Sequence, residues 1–162
     1  MVYLLDADVL ISAKNLHYGF DFCPAFWKWL LVAHRKGRVF SVEAVRKELL
    51  KQQDVLARWV RWLPRGFFKK PTATTNRALR RVAGWIQQHP RYSPAAKNTF
   101  LGTADYYLVA QALAGGHVVV THERPQQSVH RVKIPDVCAG VGVRYLSPFD
   151  MLRREKVRFI YR

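Results

Sequence analysis

The sequence predicts one α/β domain over residues 1–162, three-layer α/β/α, with helices on both sides of a mostly parallel central sheet. Three observations lead there. Short, uninterrupted apolar runs such as Val2–Leu5 and His117–Thr121 read as strands buried on both faces, the habit of parallel sheets. Stretches with helical punctuation separate these runs, and that alternation builds βαβ units. Finally, 162 residues with 49% apolar and 13% aromatic content suffice for one core without disulfide or metal staples, and exclude a disordered chain.

Each element follows in order. Val2–Leu5 is a strand ending on Asp6, and Val9–Ala13 starts a helix. Pro24 suits the first turn of the next helix, Ala25 to Lys36, which Gly37 ends. Its apolar residues (Phe26, Trp27, Trp29, Leu30, Leu31, Val32, Ala33) cover most of the circumference and predict heavy burial. Arg38–Val42 is a second strand. A helix runs from Ser41 or Val42 to Gln52, and Asp54–Leu63 is another, up to Pro64. Pro64–Pro71 is a loop or short edge strand. Thr74 or Thr75 caps a helix that reaches Gln88 and stops at His89-Pro90. Pro94–Leu101 and Thr103–Leu113 are helices in succession, the second ended by Gly115-Gly116. His117–Thr121 is the clearest strand, Glu123–Val132 a polar loop, Val141–Leu146 a strand and Pro148–Arg154 a short helix. Lys156–Arg162 is a tail or an edge strand.

The charge balance narrows the partners. Lys and Arg number 27 against 11 Asp and Glu, a net charge of +16, which favours a polyanion: nucleic acid or an acidic membrane surface. The two cysteines, Cys23 and Cys138, form no CxxC and suit a reducing cytoplasm as small buried residues. MVYLLDADVLISAK carries an acid pair and no basic leader segment, so it does not read as a signal peptide. No apolar run approaches the ~20 residues that span a bilayer. A soluble cytoplasmic protein is expected, with no membrane partner.

With so few carboxylates, their placement is informative. Ligands of open α/β sheets lie beyond the carboxyl ends of the strands. Asp6 and Asp8 directly follow the first strand, and Glu123 lies two residues past HVVVT. Asp105 is in the first turn of the helix before HVVVT, and Glu48 is on the helix after the second strand. In a parallel sheet these places converge on one edge, where carboxylates repel one another unless a cation compensates. Hard oxygen ligands suit Mg²⁺ or Mn²⁺. Each acid alone has another use. Asp6 and Asp8 could cap a helix, Asp105 could serve a helix dipole, and Glu48 could pair with Lys51.

LLDADVLI, VEAVRKELL, TADYYLVAQA and VVVTHE, in that order, resemble the PIN-domain nucleases over roughly Val2 to Leu152. The likeness is to single-domain PIN proteins akin to the VapC-type toxins, and VVTHE followed by KIPDVC resembles an uncharacterised branch of them. The resemblance implies a PIN fold and Mg²⁺- or Mn²⁺-dependent endoribonuclease activity. It also implies an RNA substrate, a cognate antitoxin and a homodimer. It puts the family's catalytic, metal-binding acids on Asp6, Glu48, Asp105 and, behind Thr121, Glu123. Asp8 stands where Ser or Asn is frequent in the family. Glu123 stands where the family has Asp, with Asp136 as a substitute.

Two basic clusters offer a path for an RNA backbone: Arg58, Arg61, Arg65, Lys69 and Lys70, then Arg77, Arg80 and Arg81. Helical spacing puts members of each on one face. A solvated face or an acidic protein partner are the other uses. Phe67 and Phe68 could stack on bases, whereas Trp59 and Trp62 read as core. His122 could contact a phosphate. Two other functions use the same residues. LLDADVL resembles the start of haloacid-dehalogenase-type phosphatases, with Asp6 as nucleophile, Asp8 as acid/base and Thr121 as a second motif. A catalytically inactive nucleic-acid-binding PIN module is the other.

Overall fold

A computed structural model describes residues 1–162. Its sheet holds five strands, β1 (Tyr3–Leu5), β2 (Val39–Val42), β3 (Phe68–Lys69), β4 (Val118–Val120) and β5 (Tyr145–Leu146). All neighbours are parallel, in the order β3-β2-β1-β4-β5. Tyr3 stands opposite Val39 on one side and Val118 on the other, so β1 is central. Every residue of β1 and β4 is buried, as their unbroken apolar runs require. The chain winds outward from β1 to β2 and β3, then returns to start again at β4. That reversal leaves a crevice between the carboxyl ends of β1 and β4, where open α/β sheets bind ligands.

The helices are α1 (Ala7–Ser12), α2 (Pro24–Arg35), α3 (Glu43–Leu50), α4 (Val55–Trp62), α5 (Ala73–Gln88), α6 (Pro94–Leu101), α7 (Ala104–Gly115), α8 (Ile134–Val141) and α9 (Pro148–Arg154). They flank the sheet, and one cluster of 41 buried residues from Tyr3 to Leu152 joins the sheet to them. A π-helical turn, Ala13–His17, extends α1, closed by the Tyr18 N–H donating to the Ala13 carbonyl at 2.7 Å. Lys14 reaches from it to Asp54 at 2.6 Å, and Asp54 also caps α4 by accepting from the Ala57 N–H. In α2, Phe26, Trp27, Leu30 and Ala33 are buried on one face, while Val32 is exposed. The aromatic core beside it stacks Phe26 on Tyr18 at 4.4 Å and Trp27 on Phe20 at 3.9 Å, with Trp59 edge-on to Trp27.

Several expectations need correction. Trp62 is not core: it ends α4 and is 84% exposed. Phe67 and Phe68 are buried, so neither offers a face to a base. The cap of α5 is Thr72, in a capping box with Thr75, two or three residues earlier than expected. The strand expected over Val141–Leu146 shrinks to Tyr145–Leu146, because Ile134–Val141 is a helix. That helix buries Ile134, Val137, Cys138 and Val141 and exposes only the small Ala139 and Gly140, so no charged outer face announces it. Its punctuation was nonetheless present: Pro135 and Asp136 in the first turn, and Gly142 closing it at φ +78°. Val157 onward adds no strand.

Candidate active site

Asp6 occupies the N-cap position of α1, yet its side chain caps nothing. Its backbone is held across the crevice, the Asp6 N–H donating to the Val120 carbonyl at 3.0 Å. Its carboxylate is only 4% exposed and accepts the Thr121 hydroxyl at 3.0 Å. That hydroxyl oxygen in turn accepts the Glu123 N–H at 3.1 Å. Glu123 then turns its Oε2 to the first N–H of α8, Ile134, at 2.8 Å, with Arg131 at 3.8 Å from Oε1. One short relay of side chains therefore fastens β1, β4 and α8 together.

The other acids arrive from two helices. Asp105 sits in the first turn of α7, half-buried; Thr103 ahead of it gives its hydroxyl to the Phe100 carbonyl instead of capping. Glu48 lies exposed on α3 and forms no ion pair with Lys51 or any other residue. Asp8, exposed on α1, accepts the Ser12 hydroxyl at 3.2 Å. Asp6, Asp8, Glu48, Asp105 and Glu123 all line one cleft of about 440 Å³. His122, Arg131 and Lys133 line it too.

Electrostatics reports the same convergence. Burial holds the Asp6 carboxyl well above the usual carboxylate range, and the charge of Asp105 adds to it. The Thr121 hydroxyl opposes that shift, while Glu123 and Asp8 reinforce it. Asp105 is pushed up to about 6, first by burial, then by Glu123 and Glu48, with Arg131 opposing. Burial lowers the His122 imidazole, against the pull of Asp8.

The donor set fits a divalent cation in its chemistry. It is all oxygen, it is anionic, and its repulsion is what a cation would relieve. The acids ring the cleft without closing on a point: no three His, Cys, Asp or Glu groups are gathered tightly enough to grip an ion directly. Such a ring fits a cation that keeps part of its water shell, as Mg²⁺ does.

Other predicted residues lie elsewhere. Asp136 is not in the cleft; its Oδ2 accepts the Gln126 and Gln127 N–H groups, and it lines a separate cavity with Trp85 and Tyr92. None of Arg58, Arg61, Arg65, Lys69, Lys70, Arg77, Arg80 and Arg81 borders the cleft. Lys69 instead covers the Phe40 ring at 4.1 Å. Arg131 and Lys133 are cleft residues that the sequence did not single out. Their signal was the basic pair flanking Val132 just before α8, hidden because α8 itself was not recognised.

Fold and cleft together define the class: a three-layer α/β domain with a parallel five-stranded sheet and a carboxylate-lined crevice at its switch point. The chain belongs to the family described as Domain of unknown function (DUF4411), whose model matches residues 3–159. A chain from the crystal structure of VapBC2 from Rickettsia felis, bound to a DNA fragment from their promoter, shares the fold at TM-score 0.57 and 13% identity. The alignment covers 91% of this chain and 98% of that one. No curated protein sequence matches.

Proposed function

We infer that the protein is a Mg²⁺- or Mn²⁺-dependent endoribonuclease of a single domain, the cytoplasmic toxin of a toxin–antitoxin pair. The observation that carries this reading is the gathering of five carboxylates around one cleft, from the β1–α1 junction, α1, α3, α7 and the β4–α8 loop. The excess of basic residues supports a polyanionic substrate. The shared fold with VapBC2 agrees with the sequence resemblance to VapC-type toxins, which supports an antitoxin partner and a homodimer.

Asp6, Asp105 and Glu48 would hold the cation, with Glu123 completing the set from its place at α8. When bound, the cation supplies an activated water and neutralises charge growing on the phosphoryl oxygens. Thr121 fixes the Asp6 carboxylate, so that its orientation costs nothing during reaction. Arg131 and Lys133 on the rim offset the charge of the substrate phosphate. Asp8, facing the cleft from α1, takes a supporting position. The more distant arginine and lysine clusters supply long-range attraction for RNA.

Cleavage of RNA by the Asp6→Asn and Asp105→Asn variants tests this. Each should fall by at least about two orders of magnitude, roughly 2.7 kcal/mol of transition-state stabilisation, and Asp8→Asn by less. If Asp105→Asn stays fully active with Mg²⁺ or Mn²⁺ while Asp8→Asn is dead, the ribonuclease reading fails. Turnover of p-nitrophenyl phosphate would then favour the phosphatase.

A further inference from the structure

A second cavity, of about 740 Å³, opens between the β4–α8 loop and the first turns of α9. It shares His122 and Glu123 with the acidic cleft, so the two are neighbours. Its walls carry Arg124 from the loop and Arg153 and Arg154 from α9. Arg124 forms no ion pair; Arg154 forms none either, its guanidinium donating to the Met1 sulfur at 4.0 Å, and the pair of Arg153 with Asp150 is an exposed one, which contributes little. The cavity also has an aromatic wall. Phe149 is half-buried, its ring edge-on to His17 at 5.2 Å and 5.5 Å from the His122 ring. Guanidinium groups that no carboxylate holds, as on Arg124 and Arg154, beside a braced aromatic face are what a single-stranded backbone and an unstacked base require.

We propose that this cavity seats the RNA nucleotides next to the scissile phosphate. Arg124 and Arg154 bind their phosphates, and Phe149 stacks one base. The assignment rests on the ribonuclease reading for its substrate. It moves close phosphate binding away from the clusters on α4 and α5, none of whose residues lines either cavity.

Binding of a fluorescein-labelled 12-nucleotide single-stranded RNA tests it by anisotropy, in the uncleaving Asp105→Asn background with Mg²⁺ and roughly physiological salt. Distant charges are screened there, since the Debye length is about 8 Å. The double variant Arg124→Ala/Arg154→Ala should weaken binding at least about tenfold. It should also flatten the salt dependence by about 0.7 in log–log slope for each phosphate no longer bound. Phe149→Leu, which keeps a packed side chain, should weaken binding about fivefold with an unchanged salt slope. The triple variants R58A/R61A/R65A and R77A/R80A/R81A should stay within about twofold. Weakening confined to those triple variants would overturn the proposal and leave the ribonuclease reading standing. Unchanged RNA affinity in the Arg124/Arg154 variant, with loss of a co-purifying antitoxin, would overturn it by making this a protein-docking face. RNA binding through Arg124 and Arg154 in a wild-type protein that cleaves no RNA would uphold the cavity and reject the ribonuclease.

Discussion

Replacing Asp105 by Asn should stabilise the protein when no divalent cation is present. A carboxyl moved from 3.8 to about 6 makes the ionised folded form less stable by about 3 kcal/mol, before relaxation. The sign follows from proton binding. The folded state keeps this proton where the unfolded state has lost it, so stability falls as pH rises from about 4 to about 6. Above that window the whole penalty is present, and Asp6 acts in the same direction. Asparagine carries no such charge, and the charge on Asp6 loses a repulsive neighbour. At pH 7.5 in EDTA the gain should be about 1–3 kcal/mol, or about 3–10 °C in Tm for a chain of this size. Most of it should vanish at pH 4, where wild-type Asp105 is protonated. Adding Mg²⁺ at ten times its Kd should restore about 1.4 kcal/mol to the wild type, and little to the variant. Circular-dichroism melts at both pH values check this. An Asp105→Asn protein no more stable than wild type at pH 7.5, or equally stabilised at pH 4, would refute the claim that these acids repel one another.

Thr121→Val keeps the shape of the side chain but strands the Glu123 N–H and the Asp6 carboxylate, which should cost about 1–3 kcal/mol in urea unfolding. Glu123→Ala removes the acceptor at the start of α8, a loss of about 1 kcal/mol, whereas Glu123→Gln retains an oxygen there, relieves the repulsion on Asp105 and should melt above both Glu123→Ala and wild type in EDTA. Phe67→Ala, at a fully buried site, should cost about 3–5 kcal/mol. Trp62→Ala should change stability by no more than about 0.5 kcal/mol, because that ring lies in solvent.

The parts of the molecule legible in sequence are those whose signal is local. Val118–Val120 announces a buried strand by composition, and Asp6, Asp105 and Glu48 stand at strand ends and helix turns that a parallel sheet must bring to one edge. Helix α8 was illegible because its exposed positions, Ala139 and Gly140, are small and uncharged, so no polar face marks the helical period and only Pro135 and Gly142 remain as punctuation. Trp62 misled because helical spacing says which residues share a face, and nothing about whether that face is covered. Asp136 and Glu123 were indistinguishable as fourth acid. Only the fold shows that Asp136 organises its own loop while Glu123 borders the cleft.

The clasp between Glu123 and Ile134 joins the two ends of the segment Arg124–Lys133, which Ser93 fastens once more between them and Asp136 twice. A segment clamped at its base is insulated from the framework it springs from. Doubling its length would add only about 0.6 kcal/mol of closure entropy. The exposed part of the stretch, Arg124–His130, can therefore change in length without moving Asp6, Thr121 or Glu123, while Arg131 and Val132 stay tied to the cleft and the core. Contacts made by Arg124 can thereby be rewritten while the acids of the cleft keep their places.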